Sequence, residues 1–169
     1  GLSATTQSRM VSGIRSFYRY LLLEDLMELD PSHLLETPKF GRKLPDTLED
    51  IEVSRMIDSI DLSTPEGERN RAILETLYGS GLRVSELISM RISNIYFNEG
   101  FIRIVGKGSK ERLVPMGGIA AKRIQTYLTE VRIHANVKKG AEDIVFLNNR
   151  GAGLSRVMVF NIVKKAAKD

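Results

Sequence analysis

The chain reads as an α+β protein, predominantly helical, with one small three-stranded antiparallel sheet. Three observations predict this. Apolar residues recur at spacings of three and four along most of the chain, the period of helices that bury one face. Between residues 95 and 115 that period gives way to short apolar runs separated by glycine-containing turns, as in a hairpin meander. Finally, 169 residues with 42% apolar and 27% charged side chains can bury a core, and no internal repeat or low-complexity segment breaks them up.

In chain order, Met10, Ile14, Phe17, Tyr18, Leu21 and Leu22 form the apolar face of a first helix starting near Thr5. Ser8, Ser12, Arg15 and Arg19 are offset by two residues and share the opposite face. Hydroxyls alternating with guanidinium groups suit a phosphate backbone, whose oxygens accept from either. An ordinary solvated face is the alternative, and unaided the pattern favours it. Acidic residues over 24–30 and the Asp30-Pro31 step end this region, and a short segment runs from His33 to Glu36. Residues 37–46 hold two prolines, a glycine and three cations without periodicity, and read as a linker.

Beyond it, Val53, Met56, Ile57 and Ile60 mark a second helix, and Thr64-Pro65-Glu66 starts a third with proline at its first position. That helix carries Ala72, Ile73, Leu74, Leu77 and Tyr78, ends at Gly79-Ser80-Gly81, and is followed by a fourth with Val84, Leu87 and Ile88 apolar. The predicted strands are Ile95–Phe97, Phe101–Val105 and Leu113-Val114, with turns at Asn98–Gly100 and Gly106–Ser109. Helical period returns at Ile119–Val131, an apolar run follows at Ile144–Leu147, and Ser155 caps a last helix bearing Val159, Phe160 and Val163.

Composition narrows the chemistry. With no cysteine, disulfides, zinc–thiolate sites, iron–sulfur clusters and a cysteine nucleophile are excluded, and a cytoplasmic setting fits. His33 and His134 stand far apart and match no metal-binding spacing, so no metal site is expected. No apolar run approaches the ~20 residues of a membrane span, and the first ten residues do not form a signal peptide. Charge is uneven. Residues 1–100 hold 11 Lys/Arg against 16 Asp/Glu, a net of −5, whereas residues 101–169 hold 14 against 5, a net of +9. A basic C-terminal part points to a polyanion such as nucleic acid, with a merely solvated basic face as the alternative.

Two clusters can carry chemistry. Gly79-Ser80-Gly81-Leu82-Arg83-Val84-Ser85-Glu86-Leu87 puts an arginine where one helix ends and another begins, a natural place for a bidentate phosphate clamp. Glu86, three residues on, either orients that guanidinium or forms an i,i+3 surface pair worth a few tenths of a kcal/mol; these nine residues alone favour the surface pair. The second cluster runs from Arg103 to Pro115. Arg103, Lys107, Lys110 and Arg112 surround a glycine-flanked hairpin tip, so Lys107 can reach away from the sheet. A P-loop is excluded, since five residues separate Gly100 from Gly106, Gly108 follows Lys107, and the segment is a hairpin. A solvated hairpin tip is the competing reading.

Taken together, in this order and 24 positions apart, Arg83 and Lys107 with their flanks resemble the tyrosine recombinase (phage integrase) family, most closely its Xer branch. The resemblance runs the length of the chain: the helix over Thr5–Leu23, Asp30-Pro31, the linker ending Leu44-Pro45, LYGSGLRVSEL and IVGKGSKERLVP. It implies the last helices of a helical core-binding domain over 1–36, a linker over 37–46, and the first part of a catalytic domain over 47–169. It also implies cleavage of duplex DNA by a tyrosine hydroxyl, giving a 3′-phosphotyrosyl intermediate that a second strand resolves, with no cofactor or metal. By the same resemblance Arg83 is the first catalytic arginine and Lys107 the hairpin lysine that protonates the departing 5′ oxygen.

The family's later motifs, a His-Leu-Arg-His helix, a Leu-Gly-His stretch and the nucleophilic tyrosine, do not occur in the 169 residues. Neither histidine occupies a matching place, and Tyr127 lies on the amphipathic face of a helix, as a core residue would. The expectation is therefore an incomplete fragment that binds DNA without cutting it, monomeric here, though its parent assembles with other recombinase protomers. A naturally short, non-catalytic DNA-binding or regulatory module of the same fold is the alternative, and a purely protein-binding assembly role is a further one. Expected DNA contacts are Lys110 and Arg112 on the hairpin, then Thr6, Arg9 and Arg15 from the helix face and Lys43 from the linker.

Overall fold

The computed structural model describes residues 1–38, 47–106 and 110–168, so Lys43, Lys107 and most of the expected linker lie outside the described residues. The chain divides into two compact units, Gly1–Thr47 and Leu48–Asp169.

The first unit is built on α1, Ala4–Leu23, followed by a 3-10 turn over Pro31–Leu34. Ser3 caps α1, its hydroxyl accepting the Thr6 N–H at 3.3 Å. Asp30 caps the turn in the same way, accepting from the Ser32 N–H at 2.8 Å and the Ser32 hydroxyl at 2.6 Å. Those bonds to the ionised form hold the Asp30 carboxyl below its ordinary pKa. The predicted apolar stripe of α1 is present but not covered: Met10, Ile14 and Phe17 are exposed.

The second unit holds the core. Its elements are α2 (Asp50–Asp58), α3 (Pro65–Ser80), α4 (Val84–Ile88), β1 (Ile95–Tyr96), β2 (Phe101–Val105), β3 (Glu111–Pro115), α5 (Gly118–Thr126) and α6 (Arg156–Ala166). The strands form the predicted meander, β1-β2-β3, all antiparallel. Ile102 lies opposite Ile95 on one side and Val114 on the other, and Ile104 lies opposite Arg112. Alternation along β2 buries Ile102 and Ile104 and turns Phe101, Arg103 and Val105 the other way. Onto the buried face pack Ala72 and Ile73 of α3, Leu87 of α4, Ile124 of α5 and Val159 of α6, with Val145 and Phe146 of the apolar run between them.

A smaller cluster, Ile57, Leu74 and Ala166, seats α2 against α3 and α6. Helix starts follow the sequence: Thr64 caps α3 through the Gly67 N–H at 3.0 Å with Pro65 at its first position, and Ser155 caps α6 through the Met158 N–H at 3.2 Å. Past α5 the helix widens into one π turn over Tyr127–Val131 before a 3-10 turn at Arg132–His134. Tyr127 is a core residue. Its ring stacks on Phe146, and its oxygen accepts the Leu147 N–H at 3.1 Å; burial pushes the phenol's pKa up.

Candidate functional site

The junction between α3 and α4 sets the first cation. Gly81 closes α3 in the left-handed conformation, φ 57°, which reverses the chain without a Cβ penalty. Leu82 then plugs into the core, and Arg83 becomes the residue before α4 with its side chain outside. Only one α-helical turn follows. Glu86, at its third position, reaches back so that its Oε2 accepts the Arg83 backbone N–H at 2.8 Å.

The second cation comes from the sheet. Arg112 lies opposite Ile104 and two residues before buried Val114, so alternation puts it on the core face of β3, at its rim, toward α4. There its fork closes on Glu86, with Nη1 to Oε1 at 2.7 Å and Nη2 to Oε2 at 3.0 Å. Arg83 adds one bond, Nη1 to Oε1 at 3.1 Å. The Glu86 side chain is only 8% exposed, against 74% for Arg83 and 43% for Arg112. The surface pair favoured from nine residues is thus replaced by a buried carboxylate between two arginines. What covers it is a strand 26 residues away. The Arg112 fork, outweighing the cost of burial, and the bonds from Arg83 lower the Glu86 pKa from 4.5 to about 2.

Beside this cluster lies an open cleft of about 490 Å³, lined by Arg83, Ser85, Glu86, Ser89, Val105, Gly106, Lys110, Glu111 and Arg112. Three cations, Arg83, Lys110 and Arg112, meet two carboxylates there, Glu86 and Glu111, and the remaining positive charge suits an anion with several oxygens. Lys107 lies outside the described residues. Among the described residues no tyrosine lines the cleft.

The other cations of the hairpin and of the basic C-terminal part diverge. Arg103 faces away from Arg112, donating to Asn94 Oδ1 at 2.8 and 3.1 Å, with Glu111 at 3.7 Å. Arg132 braces the loop before the apolar run through the carbonyls of Ala141, Glu142 and Ile144. Arg69, which the sequence did not single out, is buried and holds the Leu147 carbonyl at 3.1 Å and Asn149 Oδ1 at 3.0 Å. The count of +9 therefore includes arginines that fasten the fold rather than face a partner.

In the first unit, Arg9 is exposed on α1, and Thr6 serves the helix cap, its hydroxyl 2.9 Å from that of Ser3. Arg15 ties the chain after the 3-10 turn back to α1, donating to the Leu35 carbonyl at 2.5 Å and the Thr37 hydroxyl at 3.3 Å. Among the described residues no group of three or more His, Asp or Glu could hold a metal ion, and no helix is long and apolar enough to cross a membrane.

Comparison with known proteins adds to this geometry. Residues 46–169 match the model of the phage integrase family. The tyrosine recombinase XerD of Oceanobacillus iheyensis is 44% identical over 164 residues, covering 97% of this chain and 55% of that protein. XerD of Listeria monocytogenes serotype 4b is 40% identical over 169 residues, covering 100% of this chain and 57% of its own length. The chain thus spans a little over half the length of the curated relatives it matches. Among solved structures, the XerH site-specific recombinase bound to difH substrate in a pre-cleavage complex superposes with a TM-score of 0.74 at 24% identity, over 99% of this chain and 49% of that one. A lambda integrase dimer bound to a COC′ core site gives 0.72 at 16% identity, over 98% and 56%. At those identities the superpositions speak for the fold alone. The family match rests on the sequence, over nearly three quarters of the chain: this protein belongs to the phage integrase family.

Proposed function

We propose that this chain serves site-specific DNA recombination, as the part of a tyrosine recombinase that grips duplex DNA and supplies the first half of the phosphoryl-transfer site. The observation that carries this reading is Arg83, held by buried Glu86 at the lip of a cationic cleft. Phosphoryl transfer is governed by charge on the nonbridging oxygens, and a fixed guanidinium meets that need without a metal ion. Arg83 is then the catalytic clamp and Lys107 the general acid for the 5′ oxygen. Lys110, Arg9, Thr6 and Lys43 contact the backbone, while Arg15 supports its own unit before it meets DNA. The XerD likeness supports the reaction class, cutting and rejoining through a 3′-phosphotyrosyl intermediate, with further recombinase protomers in the synaptic complex.

The same reading makes the present chain a DNA binder that does not cut. Tyr127 is buried against Phe146, and among the described residues no tyrosine lines the Arg83 cleft. On duplex DNA, retardation in a gel should weaken steeply between low and moderate salt, and a nicked suicide substrate should yield no covalent protein–DNA adduct. Salt-independent binding, or none, overturns the first half, and an adduct stable to denaturant overturns the second.

A further inference from the structure

Arg112 lies in the cationic cleft, yet its geometry is not that of a ligand contact. A guanidinium that receives a phosphate presents its fork outward. The Arg112 fork instead closes inward on Glu86 through both Nη atoms, at 2.7 and 3.0 Å. Glu86 is thereby filled. Two carboxylate oxygens offer about four acceptor positions. Arg112 takes one on each, the Arg83 backbone N–H takes the second on Oε2, and Arg83 Nη1 takes the second on Oε1.

We infer that Arg112 is a positioning residue for Arg83: by saturating Glu86 it restricts the Arg83 guanidinium to a single bond there and leaves the rest of that group for a phosphate. This rests on the reading of Arg83 as the phosphate clamp. Two features of the fold make the division unequal. Arg112 stands on a paired strand, directly opposite buried Ile104, so its reach is set by the sheet. Arg83 precedes a five-residue helix and is the more exposed of the two. Removing the Arg112 fork leaves Arg83, one turn from Glu86, as the one fork among the described residues that bonds this buried carboxylate, and Arg83 folds down onto it.

The test uses the chain as it stands, with inorganic phosphate and duplex DNA as probes. In the unaltered protein, phosphate is expected to shift the Arg83 Nε–Hε resonance and leave that of Arg112 unmoved, an observation that needs no variant. In Arg112→Lys, which keeps the charge and loses the fork, the Arg83 response is expected at about tenfold higher phosphate, the loss of one charge-assisted hydrogen bond. On DNA, Arg112→Lys combined with Arg83→Gln should bind no more weakly than Arg83→Gln alone, because Arg112 acts through Arg83. Arg112 is instead a direct contact, and the proposal falls, if phosphate moves its own Nε–Hε, if Arg83 responds normally in Arg112→Lys, or if the two losses multiply. A silent Arg83 in the unaltered protein overturns it as well. Failure of the unaltered chain to bind duplex DNA overturns the proposed function instead, and the phosphate titration still decides the role of Arg112.

Discussion

Glu86 shows how much one carboxylate can change meaning between sequence and structure. Its spacing from Arg83 was legible at once, and so was the possibility that it orients that guanidinium. Its burial was not, because Arg112 reaches it only once the hairpin has formed. The residue also gives the chain a pH dependence. Its folded pKa, about 2, lies below the ordinary 4.5, so protons favour the unfolded chain. The contribution is complete above pH 4.5 and is lost as pH falls from 4.5 toward 2. Both arginines remain in contact with water, so we expect about 2 kcal/mol from it. Urea midpoints between pH 2 and 5 should show this loss, and Glu86→Gln, less stable at neutral pH, should flatten it. An unchanged slope in that variant would assign the acid sensitivity elsewhere.

Among the elements, α3 illustrates which signals are local. Thr64-Pro65 at its start and Gly81 at its end were readable because caps and positive φ are set by neighbouring backbone. The two glycines that frame it play different parts. Gly81, in the left-handed conformation, has open space where a Cβ would stand, so Gly81→Ala should cost only about 1 kcal/mol of backbone strain. It should also disturb Arg83, the second residue on. Gly67, in the first turn, has ordinary φ, but a Cβ there would run into the Asp61 carbonyl. Gly67→Ala should therefore cost more, about 2–3 kcal/mol, with the loop before α3 displaced. Thermal unfolding of the two variants tests the ranking, and an equal or reversed order would refute the steric account. The hairpin is the opposite case: the turns and Ile102/Ile104 alternation predicted three strands, but which cation faces Glu86 depended on the register of β2 with β3.

For the molecule as a whole, stability of the Leu48–Asp169 unit is expected to rest on the apolar run that the sequence left unassigned. Val145 and Phe146 are fully buried between α3, α5 and the sheet, though they belong to no strand of the meander. Their backbone is held from the side, with the Val145 N–H on the Met90 carbonyl at 3.0 Å and the Leu147 N–H on Tyr127. Phe146→Ala should cost about 3–5 kcal/mol in chemical denaturation, whereas Phe160→Ala on the exposed side of α6 should stay within about 0.5 kcal/mol. Similar costs for both would mean that α6 is covered in solution. The net basic charge of residues 101–169 is a weaker guide, because Arg103, Arg112 and Arg132 satisfy acceptors of the same unit.

The sequence by itself determined the helical and strand segments, the caps, the family resemblance and the position of Arg83 between two helices. These depend on residues within a few positions of one another, where periodicity and turn chemistry act. Only the tertiary structure decided that Glu86 is buried, that Arg112 turns inward while Arg103 turns away, and that Arg69 and Arg132 brace the apolar run. Each of those choices pairs groups between 9 and 80 residues apart. A charged side chain becomes a clamp, a strut or a free cation according to what faces it, and that is settled only when the core brings distant segments together.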